Sequence, residues 1–155
     1  MAKQKYRSAK TECDNHIQRL QHAINRTNDL FPLDHKTFDQ LTADQVAFID
    51  QLIFRFSKLQ DTMGKKLIPS GLNLLGESVE SLTMIDNLNL LEKLKIINSK
   101  QDWLELRELR NQIAHEYPDE KLEQLEALNL LHQSTAYLIT LYQDFTRFVE
   151  SKLPD

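Results

Sequence analysis

Apolar residues recur at spacings of three and four along most of the chain, the period of an amphipathic α-helix. Cys13, Ile17, Leu20, Ile24, Thr27 and Phe31 form one such stripe and predict a helix over 8–29. Phe31-Pro32 ends it, because the residue before a proline avoids the α region. Residues 32–42 read as a loop with room for one helical turn. Thr42 and Gln45 have the spacing of a capping box. They open a second helix carrying Val46, Ile49, Ile53, Phe56, Met63 and Leu67, with Pro69 and Gly71 marking its end. Leu72 to Leu75 add a short turn before Gly76. A third helix is predicted from Thr83 to Ile97 on Ile85, Leu88, Leu91 and Ile96. Ser99 suits the N-cap of a fourth, with Asp102 at the positive end of its dipole, running to His115 or Glu116. Pro118 suits the first position of a fifth, with Asp119 and Glu120 in its first turn. That helix reaches Lys152 on Leu128, Leu131, Thr135, Leu138, Tyr142, Phe145 and Val149.

Four to five main helices joined by short connections predict an all-α antiparallel bundle forming one domain over 1–155. Gly and Pro are scarce, at three and four residues, which agrees with helix throughout. The apolar stripes are wide enough to continue into a subunit interface, so a homodimer is expected. There is no internal repeat and no low-complexity tract.

Composition narrows the setting. Cys13 is the one cysteine, so no intramolecular disulfide forms, which suits a reducing compartment. The first 14 residues are polar and charged and offer no secretory h-region. No apolar run approaches the roughly 20 residues that span a bilayer. A cytoplasmic protein without a membrane is the expectation. The net charge of −4 argues against broad nucleic-acid binding, but it is unevenly spread. Residues 1–20 carry a net +3 and residues 51–66 also +3 (Arg55, Lys58, Lys65 and Lys66 against Asp61), whereas residues 116–155 carry −5. Each basic cluster reads as a solvated helix face or as a local basic surface beside an acidic one.

The segment with the most chemistry is Arg110-Asn111-Gln112-Ile113-Ala114-His115-Glu116-Tyr117 at the predicted end of the fourth helix. On a helical wheel centred on Leu106, Arg110 falls at about 40° and Tyr117 at about 20°, inside the stripe of Trp103, Leu109 and Ile113. An arginine there needs a cleft, a partner or an anion. His115 lies about 140° from Arg110 on a straight helix. A loosened last turn would bring the imidazole round, or a twofold axis would supply it from a second chain; both routes stay open. The bland readings are an ion pair of Arg110 with Glu77, Asp86 or another acid, His115 as a cation at a helix C-terminus, and Tyr117 as a packing aromatic. His16, His22, His35 and His132 show no metal-ligand spacing, and His16 and His22, six apart, do not share a helix face. No metal or cofactor is expected. The aromatics read as core, without a stacking platform.

The run Leu109 to Tyr117, with its R-x4-H-x-Y pattern, resembles the signature of HEPN-domain proteins, and more narrowly of HepT-like toxins that pair with a minimal nucleotidyltransferase (MNT-type) antitoxin. The resemblance implies a helical-bundle dimer with metal-independent endoribonuclease activity. It implies Arg110 and His115 as the catalytic pair, Asn111 as the supporting polar residue and Tyr117 as the tyrosine modified with AMP. RNA and the cognate nucleotidyltransferase are the implied partners. The alternative is a non-catalytic nucleotidyltransferase-binding, substrate-binding partner protein. A third is a helical interaction module in which Arg110 organises a dimer.

Overall fold

The computed structural model describes residues 1–77, 82–114 and 121–154. Among these residues every regular element is helical: α1 (Ala2–Thr27), α2 (His35–Asp39), α3 (Ala43–Thr62), α4 (Ile68–Leu74), α5 (Met84–Lys93), α6 (Lys100–Ala114) and α7 (Lys121–Lys152). A 3₁₀ turn at Asn28–Leu30 closes α1, and a π-helical turn at Met63–Leu67 joins α3 to α4.

Side-chain pairs between helices give their directions. Glu12 meets Lys66, His16 meets Arg55 and His22 meets Phe48, so α1 and α3 run antiparallel. Tyr6 and Lys10 reach Glu150, and the Tyr142 hydroxyl donates to Asp14, which sets α7 antiparallel to α1. Arg110 meets Asp61 and Trp103 lies against Gly64, so α6 opposes α3. The result is an up-and-down bundle of α1, α3, α6 and α7. Its core includes the fully buried Leu20, Leu52, Phe56, Leu59, Leu131 and Phe145. Each such side chain contributes roughly 2 kcal/mol by leaving water. Cys13 and Trp103 belong to this core, and burial pushes the Cys13 thiol up to about 12, which keeps it protonated. A smaller cluster of Leu33, Ile49, Leu125 and Leu128 sits under the connection before α2. Asn129 clamps that connection, accepting from the Leu33 amide at 2.6 Å and donating to its carbonyl at 3.0 Å.

Several boundaries differ from the sequence expectation. The first helix begins at Ala2 rather than Ser8, because Tyr6 and Ala9 bury against the bundle at 3% exposure each. The single turn allowed in 32–42 is α2, capped by Asp34, whose carboxylate accepts from the Thr37 amide at 2.7 Å. Pro69 and Gly71 do not end the second helical run. The Ile68 amide donates to the Met63 carbonyl, the wider π spacing, and Pro69 falls in the first turn after that change, where a missing N–H costs little. Gly71 lies inside α4, where a Cβ would stand 2.6 Å from the Phe145 ring; it is small so that α4 can approach α7. The third helix stops at Lys93, four residues early. Lys95 takes a left-handed φ of 60°, its amide donates to Glu92 at 3.0 Å, and the Ile96 amide returns to Leu91 at 2.9 Å. This is the Schellman closure, the same that Gly76 makes after α4. Val46 and Ile85, expected on core stripes, are 42% and 44% exposed. Ser99 caps α6 as expected, accepting from the Gln101 amide at 3.1 Å. No described helix is long and apolar enough to cross a membrane.

Candidate functional site

Helix α6 enters the bundle on Trp103, Leu106 and Leu109, all under 7% exposed, and this stripe carries Arg110 to the edge of the core. The Arg110 Nη2 donates to Asp61 Oδ2 at 2.7 Å, with the two side chains 29% and 25% exposed. The partner is therefore a carboxylate of α3, neither Glu77 nor Asp86. Sequence reasoning allowed for another acid but did not single out Asp61. No spacing along the chain relates 61 to 110; the antiparallel packing of α3 on α6 does. Asn111, one residue on, is exposed. Of the predicted site, Arg110 and Asn111 are thus placed. His115, Glu116, Tyr117 and Pro118 lie outside the described residues, as do the proposed start of the last helix and Asp119 and Glu120.

Beyond Arg110, α6 borders a groove of about 910 Å³ between α3 and α7. Its walls include Ile49, Ile53, Leu109 and Ile113, and its charged lining residues, Asp50, Glu123 and Glu126, are all acids. Val46 and Leu130, 42% and 51% exposed, lie on its rim. Among the described residues, no basic side chain lines this groove.

Another groove, polar and of about 900 Å³, follows the seam between α1 and α3. The Arg55 Nη1 lies 3.0 Å from the His16 Nδ1. A guanidinium can only donate, so Nδ1 must accept and the neutral ring carries its proton on Nε2. Burial, and then the charge of Arg55, hold the His16 pKa below its ordinary value. His16 and His22 line the same groove, although their spacing had set them on different faces. Arg55 is half-buried, and its Nε is buried without a protein hydrogen-bond partner. Among the described residues no three His, Cys, Asp or Glu side chains gather as metal ligands would.

Comparison of the chain with protein-family models, curated proteins and solved structures gives no match. What the structure defines by itself is a helical-bundle protein with an ion-paired arginine near the end of α6 and an arginine–imidazole pair on a different face of α3.

Proposed function

We propose that the chain is a HEPN-type toxin, a metal-independent endoribonuclease of an HEPN/MNT toxin–antitoxin pair. The observation that carries the reading is Arg110, which opens the R-x4-H-x-Y pattern and is fixed by Asp61 at the rim of the core instead of waving in solvent. A guanidinium held by one carboxylate keeps its charge and orientation while presenting further N–H donors to a phosphate. In the proposed reaction His115 accepts the proton of a ribose 2′-hydroxyl, and the 2′-oxygen attacks the adjacent phosphorus. The 5′-oxygen then leaves with a proton returned by a protonated imidazole, giving a 2′,3′-cyclic phosphate and a 5′-hydroxyl. Arg110 stabilises the charge gathering on the phosphoryl oxygens, and Asn111 holds the imidazole or a phosphate oxygen. A homodimer would provide two such histidines near one cleft. Transfer of AMP from ATP to the Tyr117 hydroxyl by the partner nucleotidyltransferase, with pyrophosphate as the leaving group, would add bulk and negative charge to the site and close it.

The test is cleavage of single-stranded RNA in EDTA. The wild-type chain should cut RNA and leave DNA intact, and Arg110→Ala and His115→Ala should each lose about 10²- to 10⁴-fold. Full activity in both variants overturns the scheme.

One observation favours the non-catalytic alternative. The groove beside Arg110 is apolar, acid-lined and rimmed by exposed Val46 and Leu130, features of a protein-binding surface. Tight binding of the nucleotidyltransferase without RNA cleavage would select that reading.

A further inference from the structure

The two basic segments of the chain, far apart in sequence, are brought side by side by the packing of α1 on α3. Their shared groove holds Arg19 and Arg55 together with His16 and His22, and its one acidic lining residue, Glu12, is bridged to Lys66 at 3.2 Å. Arg19 and Arg55 line one groove, and burial first and then the like charge of Arg19 hold the Arg55 pKa below its ordinary value. His16 does not neutralise Arg55 as a carboxylate would. It accepts one N–H bond and turns its own Nε2–H into an additional donor.

Aromatic rings are interleaved with these cations. Phe54, 48% exposed, has the Arg55 guanidinium 5.1 Å and the Lys58 ammonium 5.5 Å from its ring centre. Further along, Arg26 lies 5.6 Å over Phe48, whose ring also meets His22 edge-on at 5.8 Å. One exposed ring, Phe54, and one half-buried ring, Phe48, thus stand beside cations next to the groove, and a ring beside cations is what an unpaired base and its phosphate require together. A duplex would engage the cations and leave Phe54 without a stacking partner.

We infer that the α1–α3 groove is a binding track for a single-stranded polynucleotide, with Arg19, Arg55 and Lys58 on phosphates, the His16 Nε2–H on a phosphate oxygen and Phe54 under a base. The track does not depend on the reaction assigned to Arg110 and His115, which belong to α6 and the segment after it.

Binding is measured by fluorescence anisotropy on His115→Ala protein, so that cleavage does not intervene. The probes are labelled single-stranded RNA and DNA of about 15 nucleotides and the corresponding duplex. The expected result is tighter binding of either single strand than of duplex. Arg19→Gln/Arg55→Gln should lower affinity about tenfold or more and flatten the dependence of log affinity on log salt by about 1.4, two phosphate contacts' worth. Phe54→Ala should cost about fivefold or more while leaving the salt slope intact. Arg19→Gln/Lys58→Gln, both exposed positions, gives the same flattening if the Arg55 variant does not fold. Several outcomes overturn the track: no binding by the parent, unchanged affinity in both cation pairs, preference for duplex, or capture by anionic-lipid vesicles with none by RNA or DNA. Loss of binding in Arg110→Ala with the groove variants unaffected would move the nucleic-acid site to α6. Binding that follows the groove residues in a protein that never cleaves RNA supports the track and removes the nuclease.

Discussion

Two arginines mark different faces of α3, and they differ in what they face. Arg110 faces a carboxylate, Asp61, at 2.7 Å; Arg55 faces a neutral imidazole, His16, at 3.0 Å. The first pair is close to neutral as a unit, and the adjoining groove is lined by acids. The second remains cationic as a unit, and Arg19 adds to it. A carboxylate fixes a guanidinium by cancelling much of its field, whereas an imidazole fixes it and leaves the field intact. The first arrangement suits a group that meets charge only as it develops in a transition state. The second suits a group that must draw a polyanion from solution.

The sharpest way to break this comparison is kinetic. Arg110→Ala should depress kcat for RNA cleavage by about 10²- to 10⁴-fold. Arg19→Gln/Arg55→Gln should act chiefly as a rise in KM of about tenfold that shrinks at high salt. Equal effects of both changes on kcat would erase the distinction between the two arginines.

Removing one carboxylate probes the neutral pair. Asp61→Ala leaves a largely covered guanidinium without its acceptor and should cost about 2 kcal/mol of unfolding free energy. Asp61→Ala/Arg110→Ala should cost less than the two single changes added together, the signature of coupling in a double-mutant cycle read by urea denaturation. Additive costs would show that the pair contributes nothing beyond its separate groups.

A change of packing separates the two sides without touching a charge. A Cβ on Gly64 would stand 3.1 Å from Trp103 Cζ2 and 3.0 Å from Met84 Cε. Gly64→Ala should therefore press α6 away from α3 on the Arg110 side, at a net cost of about 1 kcal/mol once the helical preference for alanine is counted. The expected readout is a lower Tm and weakened Asp61–Arg110 coupling, with anisotropy at the α1–α3 groove unchanged.

The smallest effect is on the pH profile. The His16 pKa is lowered, by burial first and by Arg55 second, so the folded chain takes up a proton there less readily than the unfolded chain. Its contribution is complete above the ordinary histidine value and is lost as pH falls through that value toward the folded one. His132, also lowered by burial and stacked on Phe31 at 4.0 Å, acts in the same sense. Tm should decline on acidification from neutral, and His16→Gln/His132→Gln should flatten the decline. An unaltered slope in that double variant would show that other groups set it.

How much was legible in the sequence depended on whether the cause was local. The all-α bundle follows from apolar periodicity, and the caps at Thr42 and Ser99 were readable because the bond joins residues two or three apart. The turn at Gly76 was readable from the glycine itself, although the helix was expected to end earlier, at Pro69 and Gly71. The same stop at Lys95 was not, because packing imposes that conformation on a residue that gives no such sign. Pro69 and Gly71 were misread for the complementary reason: residues that often break helices are accommodated here by a change of hydrogen-bond spacing and by a close helix crossing. At the candidate site, the position of Arg110 at the core's edge was legible from its wheel angle. Asp61 and the His16–Arg55 pair were not, since each joins residues 39 or more apart and exists only through tertiary packing. A clue to the latter was present in the two basic segments, whose charges needed only adjacent helices to merge.

The π-helical turn at Met63–Leu67 carries a lesson for editing this chain. Such a turn is one residue more than a regular helix needs. Excising a single position from it would leave a continuous rod whose two halves still present their former sides to the bundle. The same excision a few positions earlier would rotate everything downstream by about 100° and scramble the interior. The long second helical run thus contains one place where its length is adjustable, and that place lies between the segment holding Asp61 and the segment pressed against Phe145.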